Sequence, residues 1–167
     1  MKIKIAWIGK TKEPALQALT EEYLQRISRY VPVEGIALRD EVALLEICGR
    51  APSASSSAKS LAGTSAKHRK SAGGVKSTLV LMDSRGREFS SEQFAQFVGD
   101  YRDRNPLPLV FAVGAADGFS EETRAAAQFT ISLGKMTFAH ELARVVLLEQ
   151  VYRAFTILMG HPHHCGH

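Results

Sequence analysis

The chain has 167 residues, 45% of them hydrophobic, with 21 lysines and arginines against 17 acids and a formal net charge of +4. That length suits one α/β domain with a real core and leaves little room for two, while the mild basic excess favours an anionic partner such as RNA without requiring one. Two distant cysteines, Cys48 and Cys165, exclude a disulfide-dense scaffold and suit a reducing compartment.

Lys2 to Ile8 alternates polar and apolar residues and reads as a first strand. Its apolar stretch is too short for a signal sequence, and no later run reaches the roughly 18 apolar residues of a membrane span, so a soluble cytoplasmic protein is expected. A turn at Gly9-Lys10-Thr11-Lys12 leads into a helix from about Pro14 to Arg29, with Ala15, Leu19, Tyr23 and Ile27 on one face. Val33 to Leu38 reads as a second strand. From Arg50 to Lys76 the composition shifts to Ser, Ala, Gly and Lys, with Leu61 and Val75 the only large aliphatics; this segment buries little and reads as a flexible insertion or a poor helix.

Ser77 to Asp83 is an apolar strand ending in an acid and a turn, as strands of parallel sheets often do. Ser90-Ser-Glu-Gln93 is a capping box for a helix carrying Phe94, Phe97, Val98 and Tyr101 at helical spacing. Pro108 to Val113 is a buried-type strand. It ends in the turn Gly114-Ala-Ala-Asp-Gly118, after which Ser120 caps a helix with Glu121 and Glu122 in its first turn. Phe129 to Leu133 is a last strand. The alternation predicts an α/β fold, a mostly parallel sheet with helices on both faces.

The final helix, about Ala139 to Met159, is apolar nearly all round. His140 and Arg144 lie on one side and Glu149 and Arg153 on the opposite side. Such a helix is expected to be buried on two fronts, the second of them another subunit in a homodimer.

Several segments hold candidate chemistry. Gly114 to Gly118 occupies the carboxyl end of a strand before a helix start, where α/β sheets bind ligands, although a turn needing small residues accounts for it equally. It is not the dinucleotide fingerprint. The loop Leu133 to Phe138 could wrap a planar, uncharged ring such as adenine with Gly134 and its backbone amides, or simply connect two elements. Glu149 and Arg153 have the spacing of a helix-stabilising pair, while Arg144 and Arg153 alternatively suit phosphates, and His140 suits a cap-region contact. In the tail, His161, His163, His164, Cys165 and His167 match no standard closed zinc spacing, so no structural metal is expected. The tail is either solvated and idle or supplies one histidine, His164, as a base or RNA contact.

Taken together, Ile5-Ala-Trp-Ile-Gly-Lys10, Glu22-Tyr-Leu-Gln-Arg-Ile27, Leu81-Met-Asp83 with Gly86, Phe111-Ala-Val-Gly-Ala-Ala-Asp-Gly118 and above all Leu133 through Phe155 resemble the bacterial ribosomal large-subunit pseudouridine N3-methyltransferases. This is a small SPOUT-class family with a deep trefoil knot near the C-terminus. The resemblance implies S-adenosylmethionine held by Met82, Gly114, Leu133, Gly134, Lys135, Met136, Thr137 and Phe138, and a homodimer joined through the final helix. It implies methylation of N3 of a pseudouridine in 23S ribosomal RNA, with the assembled ribosome as the expected substrate. His164 or a neighbouring tail histidine is the candidate for proton removal, with Arg144 and Arg153 holding RNA phosphates. The alternative is a catalytically inactive ribosome- or RNA-associated protein that still binds S-adenosylmethionine. Three departures stand out: Gly114-Ala115 where the family has two glycines, the Ser-rich segment in place of a family helix, and Pro162-His163-His164 in place of Pro-Tyr-His and a basic residue.

Overall fold

The computed structural model describes residues 1–50 and 76–161. Nearly all of the expected Arg50–Lys76 insertion, and the tail from Pro162 with His163, His164, Cys165 and His167, lie outside the described residues. The elements are β1 (Ile3–Ile8), α1 (Pro14–Ser28), β2 (Val33–Leu38), α2 (Glu41–Ile47), β3 (Thr78–Glu88), α3 (Ser91–Arg104), β4 (Leu109–Val113), α4 (Glu121–Ala126), β5 (Phe129–Ser132) and α5 (His140–Leu158). The five strands form one sheet in the order β2-β1-β4-β3-β5, with every neighbouring pair parallel.

Strand side chains alternate between the two faces, and each face has its own core. Ile3, Ile5, Val80, Leu109 and Phe111 lie in one, with Leu147, Leu148, Val151 and Phe155 of α5 and Phe94 and Val98 of α3. Ala6, Leu79, Leu81, Val110 and Ala112 lie in the other, with Leu44 and Leu45 of α2 and Phe119. All five residues of β4 are buried, because β4 has a strand on either side and helices above and below. This is the continuous apolar pattern of a central parallel strand.

Local chemistry sets most element boundaries. Pro14 sits at the first turn of α1, where its missing N–H costs nothing. The Ser90 hydroxyl accepts from the Gln93 N–H at 3.2 Å and the Gln93 side chain accepts from the Ser90 N–H at 3.0 Å, so the capping box at α3 is present. Ser120 caps α4 by accepting from the Thr123 N–H at 3.2 Å. Gly160, at φ +66°, ends α5, and the His161 N–H returns to the Thr156 carbonyl at 2.9 Å.

Two expectations need correction, those for the inward face of α1 and the end of β3, and the structure adds a helix, α2. The inward stripe of α1 is Thr20 and Ile27 with Leu16, Tyr23 and Leu24 beside them, while Ala15 and Leu19 are exposed. A polar contact to α5 draws Thr20 inward, which a hydrophobic count misses. Helix α2 was unforeseen: it is capped by the Asp40 carboxylate on the Ala43 N–H at 2.9 Å and is too short for a periodic signal. Strand β3 does not stop at Asp83. Met82 and Arg87 both pair with Ile131, so the chain leaves the ladder after Met82, makes a short excursion and rejoins. Within the chain, α5 lies on the sheet core and packs against both α1 and α3. Leu142 and Met159 remain exposed on it.

Candidate active site

Because the sheet is parallel, the carboxyl ends of β3, β4 and β5 share one edge, and the loops leaving them converge there. Between them lies a cleft of about 330 Å³ walled by the β3 excursion from Met82 to Arg85, the turn Gly114 to Gly118, the loop after β5, and His140 and Ala143 at the start of α5. Its size is that of a small-molecule site. Of the residues expected to hold a cofactor, Met82, Gly114, Leu133, Gly134, Met136, Thr137 and Phe138 all line this cleft. Lys135 is not among the lining residues and is exposed.

The cleft is shaped by backbone. A Cβ on Gly114 would stand 3.2 Å from the Gly118 carbonyl oxygen and 3.2 Å from Phe119 Cε2, so only glycine fits this turn without displacing its neighbours. The Gly118 N–H returns to the Ala115 carbonyl at 3.0 Å to close it. In the loop after β5, the buried Ser132 hydroxyl accepts from the Gly134 N–H at 3.1 Å and donates to the Gly134 carbonyl at 2.9 Å, while Gly134 takes φ +132°. A side chain at Gly134 would have space but the wrong backbone. Two glycine-dependent loops with mainly uncharged linings fit a nucleoside-like ligand recognised by its shape and by main-chain groups.

Two charged residues of the wall, Asp83 and Arg124, were not foreseen as site residues. An acid directly after an apolar parallel strand was a usable signal for Asp83; nothing in sequence pairs it with an arginine 41 positions away. Burial pushes the Asp83 carboxyl up, but the Arg85 N–H and the Arg124 guanidinium outweigh it and hold it below the usual carboxylate range. Because the folded value is depressed, the stability this carboxylate contributes is present above about pH 4 and fades as pH falls through the folded value.

Arg144 is not where a phosphate clamp would be. It is 1% exposed, donates from Nε to the Thr20 hydroxyl at 3.1 Å and from Nη1 to the Thr11 hydroxyl at 2.9 Å, and lies 4.4 Å over the Trp7 ring. It ties the β1–α1 loop to α5. Beside it Glu141 accepts from the Lys12 N–H at 3.1 Å, supplying the start of α1 with an acceptor that Glu13 at its own N-cap does not give. Thr20→Val should therefore remove the acceptor of a buried charged donor and cost about 2 kcal/mol, seen as a lower denaturant midpoint with an unchanged slope.

Arg153 lies toward the other end of α5, where its Nε donates to Glu149 at 2.9 Å, the pairing expected from their spacing. It borders an open groove between α1 and α5 with Tyr23, Arg26, Arg29 and Tyr152. His161 ends the described chain at that same end, its Nδ1 3.1 Å from the Tyr30 hydroxyl. The structure thus brings His140 to the cleft and separates Arg153 and His161 from it. Among the described residues no group of three or more His, Cys, Asp or Glu side chains is arranged to hold a metal ion, and no helix is long and apolar enough to cross a membrane.

A family model described as a predicted SPOUT methyltransferase matches residues 1–164. The ribosomal RNA large subunit methyltransferase H of Koribacter versatilis is 47% identical over 167 residues, covering 100% of both chains. The protein of the same name from Trichlorobacter lovleyi is 38% identical over 164 residues, covering 98% of this chain and 99% of its own. Among solved structures, a probable methylase family protein from Haemophilus influenzae Rd KW20 superposes with a TM-score of 0.56 at 8% identity, covering 95% of this chain and 68% of that one. At that identity the likeness concerns the fold alone.

Proposed function

The chain belongs to the SPOUT methyltransferase family, and we propose that it methylates N3 of a pseudouridine in 23S ribosomal RNA, using S-adenosylmethionine. The observation that carries this reading is the cleft at the carboxyl ends of β3, β4 and β5, lined by Met82, Gly114 and the loop from Leu133 to Phe138 except Lys135. Those residues would hold the cofactor, which supplies a methyl group already activated on a sulfonium. The protein's own work is to hold the acceptor base in line with the donor and to help the N3 proton leave. A knotted backbone belongs to this reading as a property of the family.

For proton removal we propose His164, serving the cleft of a second chain, a reading that the length of α5 supports. From His140 at the cleft to Leu158, α5 rises about 27 Å at 1.5 Å per residue. His161 is fixed at the far end by Thr156 and Tyr30. Three further residues reach at most about 11 Å and six about 22 Å. Measured along the helix, that reach falls short of the cleft of the same chain, which supports a site shared between two chains. A second copy with its α5 antiparallel would set its tail beside the first copy's cleft, making a homodimer with two shared sites. Exposed Leu19, Leu142 and Met159 supply apolar area for that contact, and Arg153, in the open groove, is placed to hold RNA phosphate next to the arriving tail.

With a net charge of +4 per chain, electrostatic attraction alone is weak for picking out one RNA stem-loop. A folded ribosomal surface completes recognition in this reading and implies a cytoplasmic location. The test is transfer of labelled methyl to ribosomes from a strain lacking this modification, followed by mass mapping of the modified nucleotide. Methyl on a large-subunit pseudouridine is expected, with isolated RNA a poor substrate. Cofactor binding without transfer would instead favour an inactive binder, and equal rates on ribosomes and isolated RNA would remove the ribosome requirement.

A further inference from the structure

Two of the cleft's wall segments follow the neighbouring parallel strands β3 and β4. One is the β3 excursion, starting at Asp83. The other is the Gly114–Gly118 turn, which leads through the Ser120 cap into α4 and Arg124. Neither wall is a regular element, and loops hold a gap less rigidly than strands or helices do. Two ion pairs join α4, behind one wall, to the other wall: an exposed one, Arg85 to Glu121 at 3.3 Å, and a sheltered one, Arg124 to Asp83. Arg124 donates from Nε to Asp83 Oδ2 at 3.0 Å, and its Nη2 lies 3.0 Å from the same oxygen. The other Asp83 oxygen, Oδ1, accepts from the Arg85 N–H at 3.0 Å and closes the first turn of the excursion.

The pair is sheltered. The Asp83 side chain is 7% exposed and that of Arg124 is 19%. Arg124 also donates from Nη1 to Glu121 at 2.8 Å, which orients the guanidinium from its own helix. Its Nη2 lies 3.6 Å from where a Cβ on Gly118 would be, so the guanidinium rests against the turn itself. With both Asp83 oxygens occupied, the carboxylate is held in the wall rather than kept free for a ligand.

We propose that the Asp83–Arg124 pair sets the width of the methyl-donor cleft, making both of them positioning residues for S-adenosylmethionine. This rests on the cofactor reading above. Removing one partner leaves a sheltered charge without its counter-ion, and only the exposed, solvent-screened Arg85–Glu121 pair still bridges the two walls by charge. The loss should fall on donor binding rather than on the chemical step, because neither group reaches the reacting atoms through its own free polar atoms.

The experiment measures the affinity of the full-length protein for S-adenosylmethionine by calorimetry and the donor KM and kcat on ribosomes. It compares wild type, Arg124→Met, Arg124→Lys and Tyr101→Phe. Tyr101→Phe is a stability control, since its hydroxyl donates to the Leu107 carbonyl at 2.9 Å near the amino end of β4, away from the cleft. Arg124→Met should weaken donor binding about tenfold and raise donor KM in proportion, with kcat at saturating donor kept within about threefold. Arg124→Lys, which keeps the charge but loses the forked geometry, should fall between. Tyr101→Phe should lower the melting temperature and leave donor affinity unchanged. If Arg124→Met does not fold, Arg124→Lys decides the matter. Unchanged affinity in the folded Arg124 variants, or an equal loss in Tyr101→Phe, overturns the proposal. A wild-type protein that does not bind S-adenosylmethionine at all overturns the cofactor reading instead.

Discussion

Mixing a Gly114→Val chain with a His164→Ala chain, each inactive by itself, should restore about a quarter of wild-type methyl transfer. Gly114→Val fills a turn in which even a Cβ stands 3.2 Å from the Gly118 carbonyl, so it closes the donor cleft of its own chain while leaving its tail intact. His164→Ala does the reverse. If each site combines the cleft of one chain with the tail of the other, random exchange makes half the dimers mixed. Each mixed dimer then carries one intact site out of two. If cleft and tail worked within one chain, every chain in the mixture would lack one half, and no activity would return. The length of α5, about 27 Å against a maximal reach of about 11 Å for the three residues from His161 to His164, supports the first result. Both variants must melt as the wild type does and elute as dimers before mixing. A His164→Ala chain that methylates normally would leave the shared cleft standing but take His164 out of the mechanism.

The second large effect is on folding. Gly86→Ala should destabilise the protein by about 3 kcal/mol or more. A Cβ there would stand 2.6 Å from the backbone of Thr130 and Ile131. Neither side can give way cheaply, since β5 is hydrogen-bonded to β3 on both sides of the excursion. Gly99 makes a useful contrast. A Cβ at Gly99 would meet Leu158 Cδ2 at 2.9 Å, but this is the end of a flexible side chain, and alanine favours the helix by about 1 kcal/mol over glycine. Gly99→Ala should be close to neutral. Urea denaturation of the two variants separates these cases, and equal midpoints would show that the β3–β5 crossing is softer than its geometry implies. Gly86→Ala should also lower cofactor affinity in whatever folded protein remains, because the excursion it distorts carries Asp83.

Much of the fold could be read from the sequence, for reasons that particular residues make plain. The capping box at Ser90 and the cap at Ser120 are local, so their chemistry is visible in four consecutive residues. The buried run of β4 announces a central strand. What could not be read depends on partners far away in the chain. Arg144 looks like a surface arginine when only its helical face is counted, yet Thr11, Thr20 and Trp7 take it inward. Thr20 in turn shifts the inward stripe of α1 away from Leu19. The Asp83–Arg124 contact and the return of β3 at Arg87 are likewise decided by which strands become neighbours. The cleft loops are recognisable through resemblance, whereas residue types alone leave Gly114–Gly118 evenly balanced between ligand site and turn and favour a plain connection for Leu133–Phe138.

The ends of the Ser-rich segment carry a practical consequence. The Lys76 N–H donates to the Cys48 carbonyl at 3.0 Å, so the chain leaves α2 and re-enters β3 at nearly the same point. That point lies at the amino end of β3, across the sheet from the cleft edge, and behind it α2 packs on the face opposite α5. The residues flanking 51 to 75 are thus already joined by a backbone bond. Replacing 51 to 75 with a four-residue turn should leave methyl transfer intact and lower the cost of closing that loop by about 1 to 2 kcal/mol. The same junction offers an anchoring place for a dye or a surface tether that would leave the cleft at the opposite edge of the sheet open to solution.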